Sequence, residues 1–382
     1  MKKRKILYIT GTRADYGLMR ETLLQIQRNP KLRLDILACG MHLMPEFGNT
    51  IKEIEKDNFK IHLVKAVFRK DDRTSVPDFI GNFTLKITNL LKKIKPDIIL
   101  LLGDRPEMLV GAMEGAYLTI PVAHIHGGEL SFTIDELTRH AITKFSHIHF
   151  AVTRESARRI KKLGEDSWRV FLVGAPGLDS VLNTKLFSEE KIAKKYKLDL
   201  TKPLILVLQH PITSEIKEAS RQIKETMEAI KELSLQTIVI YPNADPGGRA
   251  MIKVIKKYKK YPFIKIYTNL PHKDYLSLMK VARVMVGNSS SGIIEAPSFH
   301  LPAVNVGKRQ IGRERTGNVI DVDYKKDKIK KAIKKAIFDE EFRGKVKKCK
   351  NPYGDGRAGS RIAGILAKIK IDKELLEKQL NY

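Results

Sequence analysis

The sequence predicts two doubly wound α/β units, and three observations carry that expectation. Short β-rich runs alternate with amphipathic stretches through the first half of the chain, and the alternation starts afresh after a polar, lysine-rich interval. The length of 382 residues also exceeds what one hydrophobic core ordinarily serves, which favours two domains with a site between them. With 42% hydrophobic residues the chain can bury both cores and lacks the composition of a disordered protein.

In the first unit, 5–10, 32–39, 60–67, 97–102, 122–125, 147–152 and 169–173 read as strands. Helical periodicity fills the gaps between several of them: after Gly11, the residues Tyr16, Met19, Leu23 and Ile26 fall on one helix face. Strand, helix, strand repeated in this way implies a parallel, Rossmann-like sheet over 1–182. The polar segment 183–202 reads as a linker. Strands at 203–208, 237–241, 263–267, 283–286 and 303–306 then build a second such unit over 203–356. A last helix at 357–369, following the turn-rich segment 351–356, is expected to pack back on the first domain as part of a 357–382 tail.

The 71 Lys and Arg against 43 Asp and Glu give a net charge of +28, enough to attract polyanions non-specifically. Most of the excess sits in runs interleaved with apolar residues at helical spacing, such as 253–260 and 325–335, which read as solvated helix faces rather than a specific nucleic-acid site. No apolar run approaches the ~20 residues that span a bilayer, so no membrane association is expected and a cytoplasmic location is. Cys39 and Cys349 stand apart, without CxxC pairing, and suggest neither a disulfide framework nor a thiolate zinc site.

Open α/β sheets bind ligands beyond the carboxyl ends of their strands, so the loops after each strand are the place to look. Thr10-Gly11-Thr12-Arg13-Ala14-Asp15 follows the first strand; Arg13 there meets a base or phosphate, or Asp15 simply caps a helix, and the residues leave both open. Asp104, in Gly103-Asp104-Arg105-Pro106, is an N-cap or an acid/base group aimed into the cleft. The segment His124-Ile125-His126-Gly127-Gly128-Glu129 is followed by Thr133 and Glu136 at capping-box spacing, with Asp135 in the first turn and Arg139 one turn later. In that helix Ile134, Leu137, Ala141 and Phe145 read as the buried stripe. A metal held by His124 and His126, on one strand face, competes with an acid/base role for this cluster; no metal site is expected, because each polar group has a proton-transfer use and no separate ligand spacing occurs.

In the second unit His210 follows a strand, a position that is more often structural than catalytic. The loop Gly287-Asn288-Ser289-Ser290-Ser291-Gly292 leads from a strand to a helix expected at 293–299, and its hydroxyls and N–H groups make a seat for a diphosphate. Glu295 is placed to take ribose hydroxyls, and Arg309 and Arg313 to neutralise phosphate. Neither a P-loop nor GxGxxG occurs, which argues against ATP hydrolysis and dinucleotide redox chemistry.

Taken in order, these motifs, together with Arg139-His140-Ala141-Ile142-Thr143-Lys144 and Arg309-Gln310-Ile311-Gly312-Arg313, resemble the hydrolysing UDP-N-acetylglucosamine 2-epimerases of sialic-acid and related nonulosonic-acid synthesis. The likeness runs through almost the whole chain. It implies a GT-B-like pair of Rossmann-like domains, with UDP on the second and the sugar facing the first. The expected catalytic residues are Asp104, His126, Glu129, Asp135 and His210; the resemblance implies Asp104, Asp135 and His210, and the polar cluster itself adds His126 and Glu129. The implied substrate-binding residues are Arg13, Arg105, Asn243, Ser289, Ser290, Ser291, Gly292, Glu295 and Arg309. His126 departs from the family pattern, which often carries Glu there.

The implied reaction converts UDP-N-acetylglucosamine and water to N-acetylmannosamine and UDP without a cofactor. Because the C2 hydrogen is not α to a carbonyl, C1–O cleavage comes first, followed by loss of the C2 proton to a glycal and hydration with a proton delivered to the other face of C2. The same chemistry on a UDP-2,4-diacetamido-trideoxy sugar, or a GT-B glycosyltransferase, are the alternatives. The expected partner is this sugar nucleotide, within a homodimer or homotetramer.

Overall fold

The computed structural model describes residues 3–70, 72–131, 134–379 and 381. Two parallel sheets organise them. The first comprises β1 (Arg4–Thr10), β2 (Leu32–Ala38), β3 (Lys60–Leu63), β4 (Ile98–Leu102), β5 (Val122–Ile125), β6 (Ile148–Ala151) and β7 (Val170–Leu172), in the order β3-β2-β1-β4-β5-β6-β7. The second comprises β8 (Ile205–Leu208), β9 (Thr237–Ile240), β10 (Ile264–Tyr267), β11 (Val284–Gly287), β12 (Ala303–Val306) and β13 (Val319–Val322), in the order β10-β9-β8-β11-β12-β13. Every pairing is parallel. Central strands are therefore covered on both faces: β4 is buried at each of its positions, and its sequence is continuous Ile and Leu. The two-domain, GT-B-like arrangement is the one the sequence predicts.

The strand order reverses between β1 and β4 in the first sheet and between β8 and β11 in the second. At such a switch point the helices leave on opposite faces and open a crevice, so the loops after β1, β4, β8 and β11 are the natural walls of a ligand site. The loop after β1 turns directly into the helix Arg13–Arg28. Thr12 and Asp15 cap it reciprocally, the Asp15 N–H donating to Thr12 Oγ1 at 3.2 Å and the Thr12 N–H to Asp15 Oδ2 at 2.8 Å. Asp15 is thus the cap, which leaves Arg13 for the cleft.

Several elements differ from the sequence expectation. β3 stops at Leu63 because the chain leaves its edge position: the Val64 N–H still reaches Ala38 O at 3.0 Å, but the next such bond runs from the Gly40 N–H to Ala66 O. β13 escapes sequence reading, since it is a short edge strand with an exposed Asp321 and no fully buried position. The interval 183–202 holds a helix, Glu189–Tyr196, which docks where the Tyr196 hydroxyl donates to the buried Asp274 carboxylate at 2.5 Å. The helix expected at 293–299 is a single turn, Ser291–Ile294, followed by a 3-10 turn at Ala296–Phe299; Pro297 has no N–H to continue an α-helix.

In the helix Ile134–Phe145 the expected stripe is wrong. Ile134 and Leu137 are 51% and 67% exposed, and the buried residues are Arg139, Ile142 and Thr143. The helix turns a polar edge inward because its first half faces the cleft instead of the sheet. The expected capping box falls on Thr133, outside the described residues.

The helix Ala358–Lys368 lies against the helix Arg13–Arg28. Its first turn is fixed by Asp179, whose carboxylate accepts from the N–H groups of Ala358 at 2.9 Å and Gly359 at 2.6 Å. Among the described residues no helix is long and apolar enough to cross a membrane.

Candidate active site

The two crevices face each other across one cleft. Asp104, His126, Glu129, Asp135, Arg13 and Arg105 line it from the first sheet's loops, and His210, Asn243, Ser289, Ser290, Ser291, Glu295 and Arg309 from the second's. Gly292 does not line it. It lies behind the loop, where a Cβ would stand 3.2 Å from the Ala303 methyl, so its part is to let the loop pack on β12.

Asp104 is not the cap of the following helix, which starts at Pro106 with Arg105 as N-cap and no side-chain cap bond. Gly103, at φ +78°, turns the chain so that Asp104 meets Arg139 instead. That turn is held from both sides: the Gly103 N–H donates to Ile125 O at 2.9 Å, and His124 Nε2–H donates to Gly103 O at 2.7 Å. Arg139 is 1% exposed and also donates to Glu129 O at 2.7 Å and Ser131 Oγ at 3.2 Å. One guanidinium therefore ties the β4 loop, the β5 loop and the helix Ile134–Phe145 together.

His124 and His126 do not share a strand face. β5 ends at Ile125 and His126 has φ +66°, so its ring swings into the cleft while His124 stays in the core. His126 Nδ1 lies 3.3 Å from Glu129 Oε2, and Arg313 Nη2 lies at the same distance from that oxygen.

These surroundings separate the acids. Burial pushes the Asp104 carboxyl up, but Arg139, Arg313 and Arg309 outweigh it and leave Asp104 below the usual range. Burial also raises Asp135, the nearby Asp104 charge raises it further, and the offset from Arg309 is incomplete. Arg309 Nη2 stands 3.5 Å from Asp135 Oδ2. Glu129 would be raised by burial, but Arg313 and His126 hold it well below the carboxylate range. Two neighbouring carboxyls driven in opposite directions are the arrangement that lets one act as base while the other carries a proton.

On the opposite wall the Asn243 N–H donates to His210 Nδ1 at 3.2 Å, which places the imidazole proton on Nε2. Burial and the Arg309 charge lower His210 to about 3, so it is a neutral donor at neutral pH. The loop after β11 spends the N–H groups of Ser291 and Gly292 on its own turn, on Ser289 Oγ and Ser289 O. Its polar character toward the cleft rests on three serine hydroxyls with Arg309 beside them. Glu295 is 3% exposed, its Oε2 meets no protein donor among the described residues, and burial raises it to about 6. A partner with hydroxyl groups fits that carboxyl. Arg13 reaches across to donate to Leu270 O of the second domain.

Asp245, Asn269, His272 and Tyr275 also line the cleft and were not singled out from the sequence. Asp245 follows β9 in the turn-rich Pro242-Asn243-Ala244-Asp245-Pro246-Gly247-Gly248 segment, so the strand-end rule was sufficient to flag it.

Relatives share this organisation along their lengths. The UDP-N-acetylglucosamine 2-epimerase family profile matches residues 24–367. A UDP-N,N'-diacetylbacillosamine 2-epimerase (hydrolyzing) of Legionella pneumophila is 40% identical over 376 residues, covering 98% of each chain. A GDP/UDP-N,N'-diacetylbacillosamine 2-epimerase (hydrolyzing) of Campylobacter jejuni is 38% identical, covering 84% of this chain and 85% of its own. In fold, the crystal structure of the Neisseria meningitidis UDP-GlcNAc 2-epimerase bound to UDP-GlcNAc superposes with a TM-score of 0.80 at 19% identity, covering 96% of this chain and all of that one. A cleft between two parallel sheets, walled by opposed carboxyls and a serine loop, and a match of this extent lead to one conclusion: the chain belongs to the UDP-N-acetylglucosamine 2-epimerase family.

Proposed function

We propose that the chain is a hydrolysing 2-epimerase of a UDP-linked, N-acetylated sugar, and that UDP-N,N'-diacetylbacillosamine is its preferred substrate over UDP-N-acetylglucosamine. The observation that carries the reaction is the opposed pair Asp104 and Asp135 facing the serine loop and Arg309. The sugar preference rests on the relatives at 40% and 38% identity, whose names give the diacetamido sugar.

In this reading the diphosphate lies on Ser289, Ser290 and Ser291 with Arg13 and Arg309 near its charge, and Glu295 accepts from the ribose hydroxyls. UDP leaves as the C1–O bond breaks, and His210 Nε2–H donates to the oxygen that gains charge. The ionised Asp104 then takes the C2 proton and the glycal forms. Asp135 returns a proton to the opposite face of C2, while water adds at C1 and gives its proton to His126, whose imidazolium Glu129 stabilises. A net proton leaves with the products, and the pair resets through solvent, Asp104 releasing its proton to water and Asp135 taking one up. Arg309 links binding to this chemistry: as it turns to phosphate, Asp135 loses a cationic neighbour and holds its proton more tightly.

Incubation with each sugar nucleotide, followed by identification of the free sugar, tests the proposal. The expected result is UDP release with a free 2,4-diacetamido-2,4,6-trideoxymannose, at a kcat/KM above that for UDP-N-acetylglucosamine. A higher kcat/KM for UDP-N-acetylglucosamine overturns the substrate assignment, and retention of configuration at C2 overturns the reaction.

A further inference from the structure

Asp245 has no part in the chemistry above, yet it joins the two walls of the cleft. It comes from the loop after β9, in the second domain, and its Oδ1 accepts from Arg105 Nη1 of the first domain at 3.3 Å. Arg105 directly follows Asp104. Its guanidinium is otherwise fixed by Glu107, with Nε 3.2 Å from Oε2, and lies over the Phe68 ring at 5.9 Å. The other Asp245 oxygen accepts from Asn243 Nδ2 at 2.5 Å, and the Asn243 N–H is the donor that sets the His210 tautomer. Further bonds cross from this loop and the start of the helix Gly248–Lys256 that follows it. The Ala244 N–H reaches Met41 Sδ at 3.3 Å, and Arg249 donates to Phe68 O at 3.1 Å and Lys70 O at 2.8 Å.

A chain of contacts therefore runs from Asp104 through the adjoining Arg105 to Asp245, Asn243 and His210, and it is complete only when the domains are closed. We propose that Asp245 is a positioning residue that couples domain closure to the placement of Asp104 on one wall and His210 on the other. The proposal rests on the epimerase reading of the cleft. Its physical basis is that reacting groups displaced by about 1 Å lose on the order of 10²-fold in rate, whereas binding of the remote nucleotide is little changed. Closure thereby gates the chemistry, and the nucleotide can still bind to the second domain alone.

Charge supplies a second readout. Asp135 faces Asp104, Arg139, Arg309, Arg313 and Asp245, and Asp245 is one of the two carboxylates among them. Neutralising it lowers the proton affinity of Asp135. The limb of the kcat–pH profile that reports loss of that proton must then move to lower pH, an effect that a mere structural bridge does not produce.

The experiment compares wild type, Asp245→Asn and Asp245→Glu for kcat, KM, inhibition by UDP and the pH profile, with thermal midpoints as a check on folding. The expectation for Asp245→Asn is a kcat lower by about tenfold or more, UDP inhibition within about twofold and the limb shifted to lower pH, with Asp245→Glu recovering much of the rate and the limb. Unchanged kcat and pH profile in a folded Asp245→Asn protein overturns the proposal, as does a loss confined to KM and UDP binding. If Asp245→Asn does not fold, Asp245→Ser takes its place: a lower kcat with the limb moved to lower pH supports the coupling, and an unchanged kcat and limb, or a loss in KM only, overturns it. Failure of the epimerase reading shows separately, as absence of C2-inverted product from the wild type.

Discussion

Replacement of His126 by Asn isolates the imidazole from the backbone that carries it. His126 sits at φ +66°, a left-handed conformation that costs an Ala or other ordinary side chain about 1–2 kcal/mol and that Asn adopts more readily. His126→Asn should therefore fold where His126→Ala loses stability for a reason unrelated to catalysis. The substitution also leaves Glu129 with Arg313, 3.3 Å from its carboxylate, so no buried charge is stranded. What disappears is the group proposed to take the proton from water, and the usual cost of losing a general base is roughly 10²-fold or more in kcat. UDP is held on the opposite wall, and its inhibition constant should stay within about twofold. Initial rates of UDP release, UDP inhibition and the thermal midpoint give the three numbers needed. A folded His126→Asn protein that turns over within about threefold of wild type refutes the reasoning and returns His126 to an orienting role beside Glu129.

Other expectations concern binding and stability. Ser290→Ala should weaken UDP binding by about tenfold with a smaller effect on kcat, because it removes a hydroxyl offered to a charged diphosphate; isothermal titration with UDP measures this. Buried imidazoles should make the fold acid-sensitive. Burial lowers His42, His124, His210 and His272 to about 3 and His147 to about 4, so each is neutral in the folded state at a pH where the unfolded chain binds a proton. Their stabilising effect is complete above the unfolded value of roughly 6.5 and drains away as pH falls from there toward 3–4, by up to about 1.4 kcal/mol per pH unit for each. Thermal midpoints between pH 7.5 and 4.5 should fall progressively, and a flat profile contradicts the burial argument.

The parts legible in the sequence are those where one residue pattern has one physical meaning. Short apolar runs such as Ile98–Leu102, repeated between amphipathic stretches, read as central strands, and the strand-end rule then points at Asp104, His126 and Ser289 before any contact is known. What was not legible depended on relations between distant segments. Ile134 and Leu137 carry helical periodicity but lie outward, because Arg139 is drawn inward by Asp104 and by Glu129 O. Strand alternation alone puts His124 and His126 on one face, and the turn at His126 that separates them is a backbone event with no composition mark. The single turn at Ser291–Ile294 has a mark in the sequence, because Pro297 has no N–H with which to continue an α-helix. Asp245 follows a strand and so lies where the strand-end rule points, but its loop also reads as a plain turn, and its tie to the opposite wall shows only in the bond to Arg105.

The most direct test of the epimerase chemistry is the reaction in D2O with the preferred sugar nucleotide, read by NMR of the released sugar. Removal of the C2 hydrogen and its replacement from an acid on the opposite face predict a C2-inverted free sugar with deuterium at C2 and none at the other carbons. A free sugar with its original C2 configuration and no deuterium is the product of simple hydrolysis, and would contradict the roles assigned to Asp104 and Asp135.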